Sequence, residues 1–393
     1  MPKVSVIIPV FNASRFLYQC LDSIIHQTLA DIEIILVNDG STDDSNKILN
    51  DYALMDTRVS IINQKNRGAG AARNAGLHQA SGKYLSFLDA DDFFKLEMLE
   101  ELYNRCEETG ADIVIYKASA YDNQKGEITG DLGWTTLEGI PDKPLFSYRD
   151  VERFFQSCSS VVWDKFFRKS FIDECGIFFQ EIRFCNDVYF VHALLCLTEK
   201  ITVLDKYFVT YRQNIAESIS ATSKKEPLCF YQSIKATQDK IKTYNYQILE
   251  KSYCNWAVGF CLFHLFHRKN LDQKTFAITY GALKDYIFAE MGVVDLNEDF
   301  FYNTFYYEQI QKIISTHLED FYFEAVLDRN NLNTSNYNLQ RELNYFKGKH
   351  SYLQKEYEKL QHDRQALLNS RSFRLGRMLT WLPRKVRSKI GLK

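Results

Sequence analysis

Residues 1–120 alternate short apolar runs with helix-spaced segments, and that alternation restricts the fold more than any other feature of the chain. The runs lie at 4–11, 32–37, 59–62, 84–88 and 112–116. Strands that are apolar along nearly their whole length belong inside a parallel sheet covered on both faces. Between the first two, Phe16, Leu17, Cys20, Leu21, Ile24 and Ile25 recur at the spacing of an amphipathic helix. The order β-α-β-α-β-α-β-α-β predicts a doubly wound, mainly parallel sheet. Such sheets bind ligands outside the carboxyl ends of their strands. Asn12 or Ser14, and then Ser41, Thr42 or Asp43, offer N-cap oxygens. Gly82 and Gly110 stand where helices should stop, each as a C′ residue.

The expected strand ends are where chemistry-bearing residues gather. The run at 84–88 stops in Asp89-Ala90-Asp91-Asp92, and the run at 32–37 stops in Asn38-Asp39-Gly40-Ser41. A carboxylate cluster at a strand end suits a hard divalent cation that bridges to phosphate. An acidic turn opening the next helix would show the same residues. Small residues in Asn66-Arg67-Gly68-Ala69-Gly70-Ala71-Ala72-Arg73-Asn74 lead into a helix, whose first N–H groups can face an anion.

Beyond residue 120 the pattern changes. Residues 121–147 read as an inserted loop or small hairpin, 148–157 as a helix, and 186–195 as a helix opened by Asn186-Asp187. Two strands are expected at 201–204 and 207–211, then a polar loop at 212–220. Residues 226–325 read as helical, and the apolar stretch 253–266 is too short to cross a bilayer. Leu339, Leu343, Phe346, His350, Leu353, Tyr357, Leu360, Arg364 and Leu367 alternate intervals of four and three, a coiled-coil seam for a homodimer or a partner enzyme. The expected divisions are a nucleotide-binding α/β unit at 1–222, a helical domain at 223–330, a coiled coil at 331–369 and a basic amphipathic tail at 370–393.

Charge is unevenly spread. Residues 370–393 hold eight Lys/Arg and no acid, while the rest of the chain carries 40 basic and 50 acidic residues. That argues against a nucleic-acid partner and for an anionic membrane surface touched by a tail containing Trp381 and Leu382. The nine cysteines form no C-x-x-C pair, as expected of reduced thiols. With no signal-peptide pattern at the start, the expected location is cytoplasmic, peripheral on the inner face of the cell membrane. His192, His264 and His267 are assigned to packing or exposed helix faces.

The ordered set Ser5-Val6-Ile7-Ile8-Pro9-Val10-Phe11-Asn12, Val37-Asn38-Asp39-Gly40-Ser41-Thr42-Asp43, Asn66-Arg67-Gly68 with Ala72-Arg73-Asn74, and Phe87-Leu88-Asp89-Ala90-Asp91-Asp92 resembles the GT-A-fold, inverting glycosyltransferases of family 2. The resemblance covers about the first 220 residues and implies an α/β GT-A sheet there, which the helical region and coiled coil would follow. It implies a UDP-sugar donor and Mn2+ or Mg2+ as cofactor. Pro9, Val10 and Phe11 would line the base pocket, and Asp39 would accept from uracil. Gly68, Arg73 and Asn74 would lie near the diphosphate and sugar. Asp89-Ala90-Asp91 matches the D-x-D motif, with Asp91 on the metal, Asp89 on ribose or sugar, and Asp92 extending the donor site. Tyr211-Arg212 with Ser218-Ile219 resembles the loop closing over the diphosphate, so Arg212 joins the donor set. Trp163, Asp164 and Lys165 match a segment near the acceptor. Asp187 would be the catalytic base.

Two positions depart from the family pattern. Asn38 replaces a common Asp, and Asn186 replaces the first acid of a Glu-Asp pair. The expected reaction is transfer to a hydroxyl of a glycan or lipid-linked acceptor by single displacement, needing one base and no covalent intermediate. A degenerate scaffold is the rival reading, supported by Asn186. A sugar-phosphate nucleotidyltransferase is disfavoured, because residues 4–14 lack a glycine-rich loop.

Overall fold

The structure, a computed structural model, describes residues 1–214, 226–244, 246–266, 273–322, 325 and 359. The coiled-coil seam at 339–367, the basic tail at 370–393, and Ser218-Ile219 lie outside the described residues. Residues 1–318 form one compact unit and 319–393 another. The boundary expected at 222 therefore falls inside the first unit.

The N-terminal half follows the predicted alternation: β1 (Val4–Val10), α1 (Ser14–Ile25), β2 (Ile32–Asn38), α2 (Ser45–Met55), β3 (Val59–Asn63), α3 (Ala69–Gln79), β4 (Tyr84–Phe87), β5 (Phe93–Phe94) and α4 (Met98–Thr109). Strands β3, β2, β1 and β4 lie side by side and parallel. Val4, Val6, Ile8 and Val10 of β1 join a core with Leu17, Leu21 and Ile24 of α1 and Leu99 and Leu102 of α4. On the other face an added Cβ on Gly76 of α3 would fall 2.4 Å from Ile7, so α3 lies close on β1. Both faces are covered, and the uninterrupted apolar runs follow from that.

The second half departs from the expected topology. β6 (Ile113–Asp122) does not extend the parallel sheet beside β4. After β7 (Glu127–Asp131), α5 (Phe154–Ser157), β8 (Lys165–Arg168) and α6 (Lys169–Cys175), β8 slots antiparallel between β4 and β6. α7 (Asn186–Leu197) and β9 (Ile201–Gln213) follow, with β9 parallel to β6 and also holding β5. Among the described residues the sheet order is β3-β2-β1-β4-β8-β6-β9-β5, with β7 paired to β6. Residues 121–147 thus contain a hairpin. The two strands expected at 201–204 and 207–211 are one, with register shifts opposite residues 115–118 of β6. Residues 148–157 form a 3-10 turn (Tyr148–Asp150) and the short α5, not one helix.

Helical periodicity after residue 226 is borne out by α8 (Cys229–Lys242), α9 (Tyr246–Phe266), α10 (Gln273–Ala282), α11 (Phe288–Met291) and α12 (Thr304–Ser315). A π-helical turn at Leu283–Ile287 joins α10 to α11. Among the described residues no helix is long and apolar enough to cross a membrane.

Helix ends show where tertiary structure overrides local signals. α1 has Ala13 at its N-cap without a side-chain cap, and Asn12 is left-handed at φ 49°. Its first donors are met from the neighbouring helix start: Ala13 N–H donates to Ser45 Oγ at 2.9 Å and Ser14 N–H to Asp43 Oδ2 at 3.0 Å. Gly110 ends α4 in the left-handed conformation as expected. Gly82 does not cap α3, whose C-cap is Ala80. A Cβ on Gly82 would sit 2.6 Å from Ser5 N, so this glycine serves close backbone approach. Gly82→Ala should therefore cost about 1–3 kcal/mol through displacement of β1. A urea midpoint unchanged from wild type would contradict that packing.

Candidate active site

The carboxylate cluster stands in the turn after β4. Leu88 N–H donates to Ile7 O at 3.0 Å, continuing the ladder one residue, and Asp92 N–H closes the turn on Asp89 O at 3.3 Å. Asp92 is 1% exposed. One of its oxygens accepts Arg212 N–H at 2.8 Å, and the other, Oδ2, is buried without a partner. Burial, and then the charges of Asp91 and Asp89, push the Asp92 carboxyl well above the usual carboxylate range. Burial and Asp89 likewise raise Asp91 to about 6. The chain supplies less positive charge here than these carboxylates need.

Arg212 opposes the rise at both carboxyls, and so, at Asp91, does Arg73 on α3. The Arg73 side chain is nearly buried; Nη2 donates to Asp89 Oδ1 at 2.6 Å and Nη1 to Asn186 Oδ1 at 2.7 Å. The guanidinium also lies 5.5 Å from the Phe179 ring centre. One side chain thus ties the end of β4 to the start of α7. Asn186 occupies the position where an acid was expected, and its amide oxygen is the partner that Arg73 uses. Asp187 follows in the first turn of α7; its N-cap is the left-handed Cys185, so Asp187 is not the cap. Burial raises the Asp187 carboxyl; the Arg73 charge opposes this and Asp89 adds to it. Asp187 therefore shares one electrostatic environment with Asp89 and Arg73.

Asp39 lies at the end of β2. Its Oδ1 accepts from Gln64 Nε2 at 2.7 Å and Arg67 N–H at 2.9 Å, and its Oδ2 from Gly68 N–H at 2.8 Å. A carboxylate has about four acceptor sites, so one remains on Oδ2. Asp39 shapes the 64–68 loop, where Gly68 adopts φ 89°. Asn38 binds Asn46 and Asn63 through its amide, a role within the fold. Phe11 is exposed beyond β1, Pro9 is partly exposed, and the Val10 side chain is in the core. Val10 contributes its carbonyl, which accepts Asp39 N–H at 2.8 Å.

Several expected contacts have other partners. The Asn74 amide makes paired hydrogen bonds, both 2.9 Å, with the Phe179 carbonyl and N–H. It anchors the 178–182 loop beside α3. A Cβ on Gly70 would fall 2.1 Å from Gln180 O, so this small residue admits the chain's own backbone. The Arg212 guanidinium is buried between the rings of Phe16, Phe93 and Tyr121, 5.0–5.2 Å from their centres. It binds Asn123 and Gln19, and its charge lowers the Asp91 and Asp92 carboxyls from within the protein. Asp164 and Lys165 are buried and pair at 2.5 Å. Asp164 also accepts from Thr135 and Ser159 hydroxyls. Trp163 is buried, with its ring stacked on Tyr211 at 5.4 Å. His192 packs edge-on to Phe155 and Trp256, with both ring nitrogens buried and without a hydrogen-bond partner. His267 lies outside the described residues.

Sequence reasoning passed over Trp134, Gln19 and the backbone of Phe179. None sits at a motif spacing; only the folded sheet brings them to the cluster.

Among the described residues no three His, Cys, Asp or Glu side chains form a metal cage. The residues present still fit a hard cation. Burial and then the Asp89 charge raise Asp91, and Asp92 Oδ2 lacks a partner. Magnesium-type ions are often held by one or two carboxylates plus substrate phosphate and water.

The raised Asp91 has a consequence for stability. Its native pKa of about 6 lies above the unfolded carboxylate's, so the native state holds the proton more tightly. Stability falls as pH rises through that window. Asp91→Asn should thus stabilise the metal-free protein by about 1–2 kcal/mol at pH 7, with no gain below about pH 4. Thermal unfolding in EDTA across that range checks both the sign and the window.

Comparison with known proteins gives the family. The sequence model described as "Glycosyl transferase family 2" matches residues 5–175. An uncharacterised glycosyltransferase of Bacillus subtilis, EpsJ, is 34% identical over 219 residues, covering 54% of this chain and 62% of the relative. The glycosyltransferase GlyG of Streptococcus pneumoniae is 32% identical over 216 residues, covering 53% of this chain and 70% of the relative. The chain thus spans less than two thirds of EpsJ. Among solved structures, S. aureus TarS superposes with a TM-score of 0.53 at 20% identity, over 73% of this chain and 50% of that one, a likeness of fold. The chain belongs to glycosyltransferase family 2.

Proposed function

We propose that this glycosyltransferase moves a sugar from a UDP-sugar to a hydroxyl of a glycan or lipid-linked acceptor, with inversion and without a covalent intermediate. The observation that carries the reading is the Arg73 bridge. It binds Asp89 and Asn186 at once and so keeps Asp187 beside the carboxylates after β4.

In this reading Asp39 offers its remaining acceptor site to the base, beside the exposed ring of Phe11. Asp187 takes the proton of the acceptor hydroxyl as its oxygen bonds to the anomeric carbon. The bond from that carbon to the diphosphate oxygen breaks, and the diphosphate leaves with the electron pair. Burial helps the base: a carboxyl raised from its ordinary value accepts a proton more readily near neutral pH. A divalent ion, Mn2+ or Mg2+, supplies counter-charge for the leaving diphosphate when bound. Asp91, with the unpartnered oxygen of Asp92, would hold it. Arg73 orients Asp89, and Arg212 lends its charge from the aromatic cage.

The donor is assigned to the hexose and N-acetylhexosamine class and the product to polysaccharide or cell-surface glycan. Attachment to an anionic inner-membrane face through 370–393, and pairing through 339–367, rest on the charge and seam in those sequences. The scaffold reading rests on Asn186, whose amide oxygen accepts from Arg73.

The test is UDP release from a panel of UDP-sugars with Mn2+ or Mg2+, and with EDTA, for wild type and Asp187→Asn. Metal-dependent release from one sugar is expected, and Asp187→Asn should lower transfer by about 10²–10⁴-fold. UDP binding without turnover on any donor and acceptor would favour the scaffold.

A further inference from the structure

We propose that Trp134, Tyr211 and Trp163 form a stacking platform for a pyranose ring of the acceptor glycan, with Trp134 as its contact face. This rests on the transferase reading and says where the acceptor lies.

The sheet order divides the site. The nucleotide-side residues Asp39 and Arg73 belong to β2 and α3, on the β3-β2-β1-β4 half. The three rings come from the other half. Trp163 precedes β8, Trp134 follows β7, and Tyr211 is on β9. β8 runs antiparallel to β4, so its start lies at the end of β4, where Asp89–Asp92 stand. β6 is antiparallel to β8 and β9 is parallel to β6, which brings the late residues of β9 to the same side. The next residue after Tyr211 fixes the distance, since Arg212 N–H donates to Asp92 at 2.8 Å. The charges of Asp92, Asp91, Asp89 and Asp187 all act on the Tyr211 hydroxyl. The platform thus borders the donor carboxylates.

The rings form a graded stack. Trp163 and Tyr211 lie 5.4 Å apart at 22°, and Trp134 lies 5.2 Å from Tyr211 and 5.9 Å from Trp163. Trp163 is buried, while Trp134 is 45% exposed. A tryptophan on a loose loop would mean little, but this loop is pinned on both sides of the ring. Leu132 N–H donates to Ala118 O at 3.0 Å, and Gly133 N–H to Asp131 Oδ1 at 2.8 Å. Thr135 Oγ1 donates to Asp164 Oδ2 at 2.5 Å. Asp164 is itself held by Ser159 and Lys165. The buried Asp164–Lys165 pair therefore acts on the acceptor side as an anchor, not as a contact.

The chemistry fits a sugar. A pyranose has an apolar C–H face and a rim of hydroxyls. A rigid indole receives that face with little entropy lost on binding. The neighbouring carboxylates accept from the rim, and a hydroxyl turned toward Asp187 is the one to be deprotonated. A uracil ring would also stack, but Asp39 and Phe11 place the base at the β1–β2 end.

The test uses the full chain, with p-nitrophenyl glucoside, galactoside and N-acetylglucosaminide as probes. Binding is followed by saturation-transfer NMR in the presence of UDP and Mn2+. At least one probe should bind wild type, Trp134→Ala should weaken it about tenfold, and Trp134→Phe should restore most of the affinity. The restored variant excludes misfolding as the cause. Binding indifferent to Trp134→Ala, or no binding of any probe to a protein that binds UDP, overturns the platform. Failure of UDP itself to bind wild type overturns the UDP-sugar reading on which the platform rests, and the platform falls with it.

Discussion

A guanidinium taken out of water must find acceptors for its donors, and Arg73 finds them on two elements that the chain places far apart. Asp89 stands in the turn after β4, Asn186 begins α7, and Arg73 stands between them on α3, 5% exposed. Losing either acceptor would leave a buried donor unmet, a cost of about 1–3 kcal/mol. The bridge is therefore a strong constraint on where α7 starts. Asp187 inherits its position from that constraint. The same logic explains why an amide suffices at 186: Arg73 requires an oxygen acceptor there, and a second acid would add charge to a site already rich in it.

The other half of the balance is negative. Asp89, Asp91 and Asp92 follow one another in a single turn, and the protein leaves their charge partly unmet. Arg212 is close enough to act on them but is caged by three rings. Arg73 is divided between Asp89 and Asn186. In the proposed reaction, a cation bound here with a diphosphate would relieve that repulsion. Structural devices hold the arrangement in place: Asn74 grips the Phe179 backbone, Gly70 admits Gln180, and Asp39 spends three of its acceptor sites on the 64–68 loop.

Much of this was legible in the sequence, for physical reasons. Strands β1 to β4 are covered on both faces, so they read as apolar runs, and the acids beyond them stand out by contrast. Asp39, Arg73, Asp89, Asp91, Asp92 and Asp187 were found this way or through the family resemblance, and the structure brings Arg73, Asp89, Asp91, Asp92 and Asp187 into one electrostatic neighbourhood. What was not legible depends on long-range pairing. The antiparallel insertion of β8 leaves no local pattern, because the strand reads the same in either direction. The cap of α1 comes from Asp43 and Ser45, about thirty residues on. The cage around Arg212 draws on residues 16, 93 and 121. Trp134 sits in a stretch whose composition reads only as loop, and its meaning comes from the rings it meets.

The most direct measurement of the central claim is a double-mutant cycle of Arg73→Ala with Asn186→Ala, read as the rate of UDP release from the sugar donor that turns over. If the bridge organises the site as one unit, each single variant loses activity and the double variant loses little more than Arg73→Ala alone, a coupling of about 1–3 kcal/mol. If the two losses simply multiply, Arg73 and Asn186 act independently, and the account of how α7 presents Asp187 is wrong.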